Sequence, residues 1–450
     1  MSKIYKFYFD KAEEISPNIV GKIIRKFQTK VVPNLRFCRG YYDGTGQAIM
    51  RRVQGDATRP NNKIVKNYCA TIVDNYQGYL TGNPISYAAV DTDKGIEPIQ
   101  KVLSANDVVN ADAEYLRTAL IYGIAFELYY VNESMEIKFK NVNPESVIPI
   151  YSDDLDEDLL YVITFSPIAN WDNEALPTNY RVCVYTDSRI YTYLAANDFN
   201  SLSLLEDEEH HFGTVPFTVF NLNADNSSIF ERVIGLQDAY NSLLSDEVND
   251  FQAFVDAYMV LKNLTATEDE LAEMKRTRTI LIDGESDVSY LTKNISDTQI
   301  ENMLDTINSS IHTISNSPDF SSEEFNSGVS SGTALQYKLV GFNNIASNIE
   351  AQMKKALENR ITLINTILQL VDTDTCLVDI DFTHNLPTSM ADTVAMVNSL
   401  RGLVSDSTLL AQIPFIDNVA AELKKIEDEN ASLAVSYDIP SGVSDGDEEE

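Results

Sequence analysis

Apolar residues recur every three or four positions near the C-terminal end of the chain, at Leu335, Leu339, Phe342, Ile345, Ile349, Met353, Leu357, Ile361, Ile364, Leu368 and Val371. That is the helical period, and Thr333 with Gln336 supplies a capping box at its start. The spacing predicts one helix over 333–371, roughly 55 Å long at ~1.5 Å per residue. An ordinary globular helix has ~11–12 residues. Gly341 is a candidate kink. The small polar stretch Gly328-Val-Ser-Ser-Gly332 feeds this strut, which predicts a moving loop on a rigid frame.

The same period over Val233, Leu236, Tyr240, Leu244, Phe251, Val255 and Tyr258 predicts a second long helix, from about residue 230 to 260. Asp238, Asp246, Asn249, Asp250 and Asp256 keep much of its remaining surface polar. Ser296 and Gln299 cap a third helix that carries Ile300, Met303, Ile307, Ile311 and Ile314 and stops before Pro318. Between these two lies a compact segment, 262–294, read as a short helix near 268–275 and a strand at 279–282. Earlier in the chain, Ile64, Tyr68, Ile72 and Tyr76 share a helix face that ends at Thr81-Gly82-Asn83-Pro84. Another helix runs from about 110 to 122 and ends at Gly123.

Over 124–222 the period changes to two. Met135, Ile137 and Phe139 alternate with Glu136, Lys138 and Lys140, and Phe126, Leu128 and Tyr130 mirror them across Asn132-Glu133-Ser134. Further strands fit at 161–166, 181–186, 190–194 and 215–220, followed much later by one at 376–382. Residues 1–60 are mixed and basic, with Gly40, Gly44 and Gly46 marking loops. Short helices fit 388–431, and an acidic tail, 433–450, reads as disordered. The fold class is α+β, with an antiparallel β-rich domain.

Charge sharpens this division. The chain has 34 basic and 68 acidic residues, a net charge of −34. Residues 1–66 carry 14 basic and 5 acidic residues, so the rest holds 20 basic and 63 acidic. Such asymmetry implies that the basic segment meets a different partner from the body. An acidic body does not grip nucleic acid by counterion release, yet it can surround DNA and keep it mobile; acidity that merely serves solubility is the plainer alternative. An apolar content of 44% predicts a true core. Cys38, Cys69, Cys183 and Cys376 show no CxxC pairing and read as reduced, buried thiols. Lys3, Lys6 and Asp10 interrupt any signal-like run, and no uncharged stretch approaches the ~20 residues of a membrane span. A soluble protein made in the cytoplasm, with no membrane partner, is expected.

Catalytic signatures are sparse. His210, His211, His312 and His384 lack metal-ligand spacing, and there is no GxxxxGK[ST], GxSxG or HExxH. Asp153, Asp154, Asp156, Glu157 and Asp158 lack the glycine of a calcium loop and read as a solvated hairpin tip. Glu323 and Glu324 are adjacent carboxylates in a Ser/Gly/Asn loop. Lys275, Arg276 and Arg278 read either as a contact for nucleic acid or protein, or as a balance to Glu268, Asp269, Glu270 and Glu273. No enzymatic activity, metal or cofactor is expected. A carboxylate-dependent hydrolase using residues 153–158 is the enzyme alternative.

Several segments together carry a resemblance. They are Val73-Asp74-Asn75-Tyr76-Gln77-Gly78-Tyr79-Leu80-Thr81-Gly82-Asn83-Pro84-Ile85; Ala119-Leu120-Ile121-Tyr122-Gly123-Ile124-Ala125, followed by Val142-Asn143-Pro144-Glu145; Asn221-Leu-Asn223 with Val233-Ile-Gly-Leu-Gln-Asp238-Ala-Tyr240-Asn241 and Ser245-Asp246; Pro318-Asp319-Phe320 through Phe325 with Ser331-Gly332-Thr-Ala-Leu335; and Asn385-Leu386-Pro387. In order and spacing the chain resembles the portal proteins of tailed bacteriophages, of the siphophage type of Gram-positive hosts. The resemblance covers about residues 65–415.

The resemblance implies a virion protein at the capsid portal vertex, assembled in the host cytoplasm. It implies a ring of twelve subunits through which a terminase motor pumps double-stranded DNA, and which later binds a head-completion or adaptor protein. Major capsid and scaffolding proteins are further implied partners. Residues 1–230 would be the N-terminal part of the wing, 231–261 and 295–316 the stem helices and 262–294 the clip. Residues 317–332 would be the tunnel loop, 333–386 the long wing helix and strand, and 387–432 the crown. Phe320, Ser321, Ser322, Glu323, Glu324, Phe325, Asn326 and Ser327 would line the channel at the loop, and Lys275, Arg276 and Arg278 would face the clip's partner. Twelve such chains would carry roughly −400 charges, so ring assembly needs complementary patches. The basic N-terminal segment is expected to meet an acidic face of a neighbouring subunit or of the capsid. An acidic oligomeric adaptor or scaffold without a DNA channel is the alternative class.

Overall fold

The computed structural model describes residues 6–53, 60–90, 95–169, 179–255, 258–262, 287–291, 297–320, 337–371, 375–385 and 390–410, with isolated positions between and beyond them. The chain forms two compact units, residues 1–322 with 339–385, and residues 323–338 with 386–450.

In the first unit, helices α1 (Pro17–Lys30) and α2 (Val32–Tyr42) precede α3 (Tyr68–Thr81), α4 (Glu97–Ala105) and α5 (Val108–Tyr122). A six-stranded sheet has the order β1-β5-β6-β7-β8-β9. Strands β5 (Val147–Ser152), β6 (Leu159–Pro167), β7 (Asn179–Tyr185), β8 (Arg189–Ala196) and β9 (Leu202–Glu209) form an antiparallel meander. Strand β1 (Phe7–Phe9) adds itself parallel to β5. Phe27 of α1 meets Phe7 and, edge-on, Phe165 of β6, so α1 covers one face of this sheet. A second sheet has the order β10-β3-β4, formed by β3 (Ile124–Val131), β4 (Ile137–Val142) and β10 (Phe217–Asn221). Strand β2 (Ser86–Ala89) pairs antiparallel with β13 (Val378–Asp381).

Two helices, α6 (Ile234–Val255) and α7 (Asp297–Ser315), pack together, and a short antiparallel pair, β11 (Tyr258–Lys262) and β12 (Asp287–Leu291), lies between them in sequence. Helix α8 (Val340–Leu370) has 31 residues, about 46 Å. Phe342, Ile349, Met353, Leu357, Ile361 and Ile364 of its predicted stripe are buried. In the second unit, α9 (Met390–Leu400) and α10 (Asp406–Leu410) flank a turn in which Gly402 has φ +87°.

Several expectations change. The helix expected to run to residue 260 ends at Val255, and Tyr258–Lys262 is a strand, with Tyr258 opposite Leu291. A short apolar run fits either period, and here pairing with a distant strand decides. Ile64 lies in the segment without regular secondary structure that precedes α3, which begins at Tyr68. Met135, read as a strand residue, sits in the hairpin turn with φ 61° and is 79% exposed. The Asn132 side chain shapes that turn by accepting from the amides of Ser134 and Glu136. Gly40 lies inside α2 and not in a loop; its Cα would be 2.7 Å from a Cβ on Gly46, so the two glycines permit a close backbone approach. Gly123 ends α5 as expected, at φ +83°. The start of the long helix before residue 337, most of 262–294, and much of 388–431 lie outside the described residues.

Candidate functional site

Helix α6 holds the chain before α3 with a ladder of uncharged polar side chains. Gln237, Asn241, Ser245 and Asn249 are spaced by four residues, and the first three are fully buried. Gln237 accepts from the Tyr68 amide (2.8 Å) and donates to the Lys66 carbonyl (2.6 Å). Asn241 accepts from the Lys66 amide (3.0 Å), Ser245 from Ile64 (3.0 Å) and Asn249 from Asn62 (2.8 Å). The partners step by two residues where the helix steps by four. Two extended residues rise about 6.6–6.8 Å and four helical residues about 6 Å, so the two repeats stay in step over four contacts. Asp238 accepts from the Tyr41 hydroxyl and the Ala48 amide, and Arg52 pairs with Asp246 at 2.7 Å. The polar residues of this helix thus bind the N-terminal segment.

The segment that leaves α7 and returns at α8 has both of its ends on α3. On the outgoing side, the Tyr76 hydroxyl donates to the Ser315 carbonyl (3.0 Å) and the Asn75 side-chain Nδ2 to the Ser317 hydroxyl (2.9 Å). His312 Nδ1 lies 2.8 Å from the Ser317 carbonyl; a carbonyl only accepts, so the proton sits on Nδ1. Its Nε2 is 3.8 Å from Asp319, and the ring stands edge-on to Tyr68. On the returning side, Phe342 stacks on Tyr76 at 4.4 Å and meets Tyr79 at 5.0 Å. Tyr79 donates to Asn343 (2.9 Å) and lies 3.1 Å from His384, whose other nitrogen is 2.8 Å from Glu350. Gly341 completes the closure: a Cβ there would lie 2.5 Å from the Asn316 side-chain oxygen. One ring, Tyr76, therefore touches both ends of the segment, and burial raises the pKa of its hydroxyl.

Of the loop residues singled out from sequence, Phe320 is 45% exposed, and the Ser322 amide and hydroxyl both donate to the Asp319 carbonyl. Ser321, Glu323, Glu324, Phe325, Asn326 and Ser327 lie outside the described residues, as do Lys275, Arg276 and Arg278. The acidic run at 153–158 forms the turn between β5 and β6. Glu157 there pairs with Lys6 and accepts from Tyr8, which together lower its pKa. His210 points its Nε2 at the Thr186 carbonyl, and burial lowers its pKa. Among the described residues no group of three His, Cys, Asp or Glu side chains is placed to hold a metal, and no helix is long and apolar enough to cross a membrane.

The family described as "Phage portal protein, SPP1 Gp6-like" matches residues 22–434, most of the chain. The chain belongs to this portal family. It is similar to the portal protein of Bacillus phage SPP1, with 23% identity over 301 residues, covering 62% of this chain and 58% of that protein. It is also similar to the portal protein of Clostridium phage phiCD119, with 23% identity over 257 residues, 54% of this chain and 56% of that protein. The chain thus spans a little over half the length of the curated relatives it matches.

This portal chain also contains a buried ionic centre that the sequence reading missed. Arg360 of α8 is fully buried and grips Glu127 of β3 with two parallel hydrogen bonds, 2.8 and 2.9 Å. It also pairs with Asp112 of α5 and donates to Tyr87 of β2 (3.1 Å), which in turn donates to Asp112 (2.7 Å). Tyr129 donates to Glu127, and Phe139 lies 4.7 Å from the guanidinium carbon. Burial pushes Glu127 above the usual carboxylate range, although Arg360 opposes it. Burial alone would lower Arg360, but Glu127 and Asp112 outweigh it and hold it well above its ordinary value. A signal existed in sequence: Arg360 lies three residues after Leu357 and four before Ile364, on the apolar side of the helix.

Proposed function

We propose that this portal-family chain assembles head-to-tail into a ring of twelve copies at one capsid vertex. Double-stranded DNA passes through the centre during packaging and ejection. The observation that carries this reading is the path from 234 to 370. Helix α6 leads to a small strand pair, α7 returns beside it, and the chain then leaves and re-enters on Tyr76 before the long α8. In this reading 231–261 and 295–316 are the stem and 262–294 the clip. Residues 317–332 are the tunnel loop, with Phe320 to Ser327 toward the channel. Residues 1–230 and 333–386 form the wing, 387–432 the crown and 433–450 an acidic tail. A net charge of −34 per chain repels phosphate, so DNA slides and does not adhere. The protein acts as a conduit and docking platform in the virion and not as an enzyme. Its partners are terminase, capsid and scaffolding proteins and a head-completion protein.

Negative-stain electron microscopy with mass determination tests the ring. Rings of about twelve copies with a hole of roughly 20 Å, the width of duplex DNA, are expected. Closed oligomers without a hole, from the chain alone or co-expressed with capsid proteins, would move the reading to an acidic adaptor. We assign Lys275, Arg276 and Arg278 to the clip's partner surface. Neutralising all three should abolish terminase co-sedimentation while rings persist; unchanged binding would remove them from that role.

A further inference from the structure

Two exposed parts of the layer made by α1 and the six-stranded sheet carry opposite charge: the outside of α1 and the free edge of the sheet. Helix α1 contains Lys22, Arg25, Lys26 and Lys30 and no acidic residue. Val20, Ile24 and Phe27 turn inward, and Lys22, Lys26 and Lys30 are exposed on the outside. Arg25 is engaged with Asn200 and the Phe199 carbonyl, and the Lys26 ammonium lies 5.6 Å from the Phe7 ring centre. Lys22 and Lys30 have no acidic partner among the described residues.

The sheet ends in β9, an edge strand whose residues are all exposed apart from Leu202. Its register with β8 assigns its faces. Phe165, Val182 and Tyr193 pair across the sheet, and Phe165 meets Phe27, so this is the α1 side. Asp207 and Glu209 point to that side and are held by Arg189 at 2.8 and 2.7 Å. Glu206 and Glu208 stand opposite Thr192 and Ile190, on the face turned away from α1, with no basic partner among the described residues. Arg181 shares that face farther along, opposite Leu194. An open edge of this length, with Leu204 and Leu205 about half exposed, needs a cover.

We infer that in the ring the α1 lysines of one copy dock on the β9 edge of the next copy, through Lys22 and Lys26 against Glu206 and Glu208. This rests on the ring reading. A closed ring needs two different, complementary surfaces on each subunit, and this layer presents a basic one on the outside of α1 and an acidic one at the β9 edge, where Glu206 and Glu208 turn away from α1. The spacings also agree. Lys22 and Lys26 are one helical step of about 6 Å apart, and Glu206 and Glu208 are about 6.8 Å apart along a strand. The contact joins the most basic helix to the most acidic strand of a chain whose net charge otherwise opposes association.

Three variants test this: K22E/K26E, E206K/E208K, and the fourfold swap that combines them. Each is checked for native circular dichroism, and ring yield is read by mass photometry at physiological salt. Each double variant should lower ring yield about tenfold, because like charges then face each other, and the swap should recover it. Wild-type yield from either double variant overturns the contact, and so does a folded swap that stays as low as the doubles. Carbodiimide coupling of rings mixed from isotope-labelled and unlabelled wild-type chains gives a second readout free of folding effects. Coupled peptides carrying Lys22 or Lys26 from one copy and Glu206 or Glu208 from another are expected. Wild-type rings that lack them overturn this inference alone, whereas failure of the wild type to form any ring overturns the ring reading and this contact with it.

Discussion

Arg360→Met is expected to cost about 3–5 kcal/mol of folding stability, read as a lower midpoint in chemical denaturation. The side chain is fully buried, and its removal leaves Glu127 and Asp112 facing each other without a cation. Methionine fills much of the volume, so the loss measures stranded charge more than a cavity. Arg360→Lys should recover only part of it, since an ammonium cannot reproduce the paired 2.8 and 2.9 Å bonds to both Glu127 oxygens. Replacing all three, with Met, Gln and Asn at 360, 127 and 112, should be far less harmful than Arg360→Met alone. If the single variant matched the wild type in denaturant, the network would have no structural weight. The centre ties α8 to α5, β2 and β3, so its loss should loosen the frame on which the proposed channel loop stands.

Tyr76→Ala should cost a similar amount, about 3–5 kcal/mol, because it empties a fully buried aromatic site. Tyr76→Phe keeps the stack on Phe342 and loses the bond to the Ser315 carbonyl, for about 1 kcal/mol. The distinguishing measurement is amide hydrogen exchange. Alanine should speed exchange both at 315–317 and at 341–344, since one ring holds both ends, whereas phenylalanine should act mainly on the first stretch. Faster exchange at only one end under alanine would show that the two ends are held independently. In the proposed ring, the alanine variant should assemble and yet package DNA poorly.

Much of the charge of the basic N-terminal segment is neutralised within the chain. Its charge excess suggested a separate partner. In the structure Lys6, Lys11, Arg36 and Arg52 pair with Glu157, Asp158, Glu145 and Asp246 of the same chain. The outer lysines of α1, Lys22, Lys26 and Lys30, are exposed and have no acidic partner among the described residues. The mixed composition of 1–60 and the glycines near 40–46 hide helices α1 and α2, although Val20, Ile24, Phe27 and Val31 keep a helical spacing. Strand β9 gives no strand signal in sequence because Glu and Asp are poor strand formers, and pairing with β8 overrides that preference.

The sequence by itself determined the long helix of 340–370, the paired helices on either side of the 262–294 segment, the 124–142 hairpin and the portal-family order of elements. The helices and the hairpin are written in a local period of 2 or 3.6 residues, which neighbouring side chains alone display, and the family resemblance in the order of short segments along the chain. The tertiary structure alone decided which polar residues leave water. Asn241 reads like any exposed helix residue until Lys66, 175 positions away, is laid beside it. Arg360 and Glu127 are separated by 233 residues, and neither has a reason to be buried without the other. A buried polar group is stable only when its partner is in place, and local periodicity carries no record of a partner that the fold brings from far along the chain.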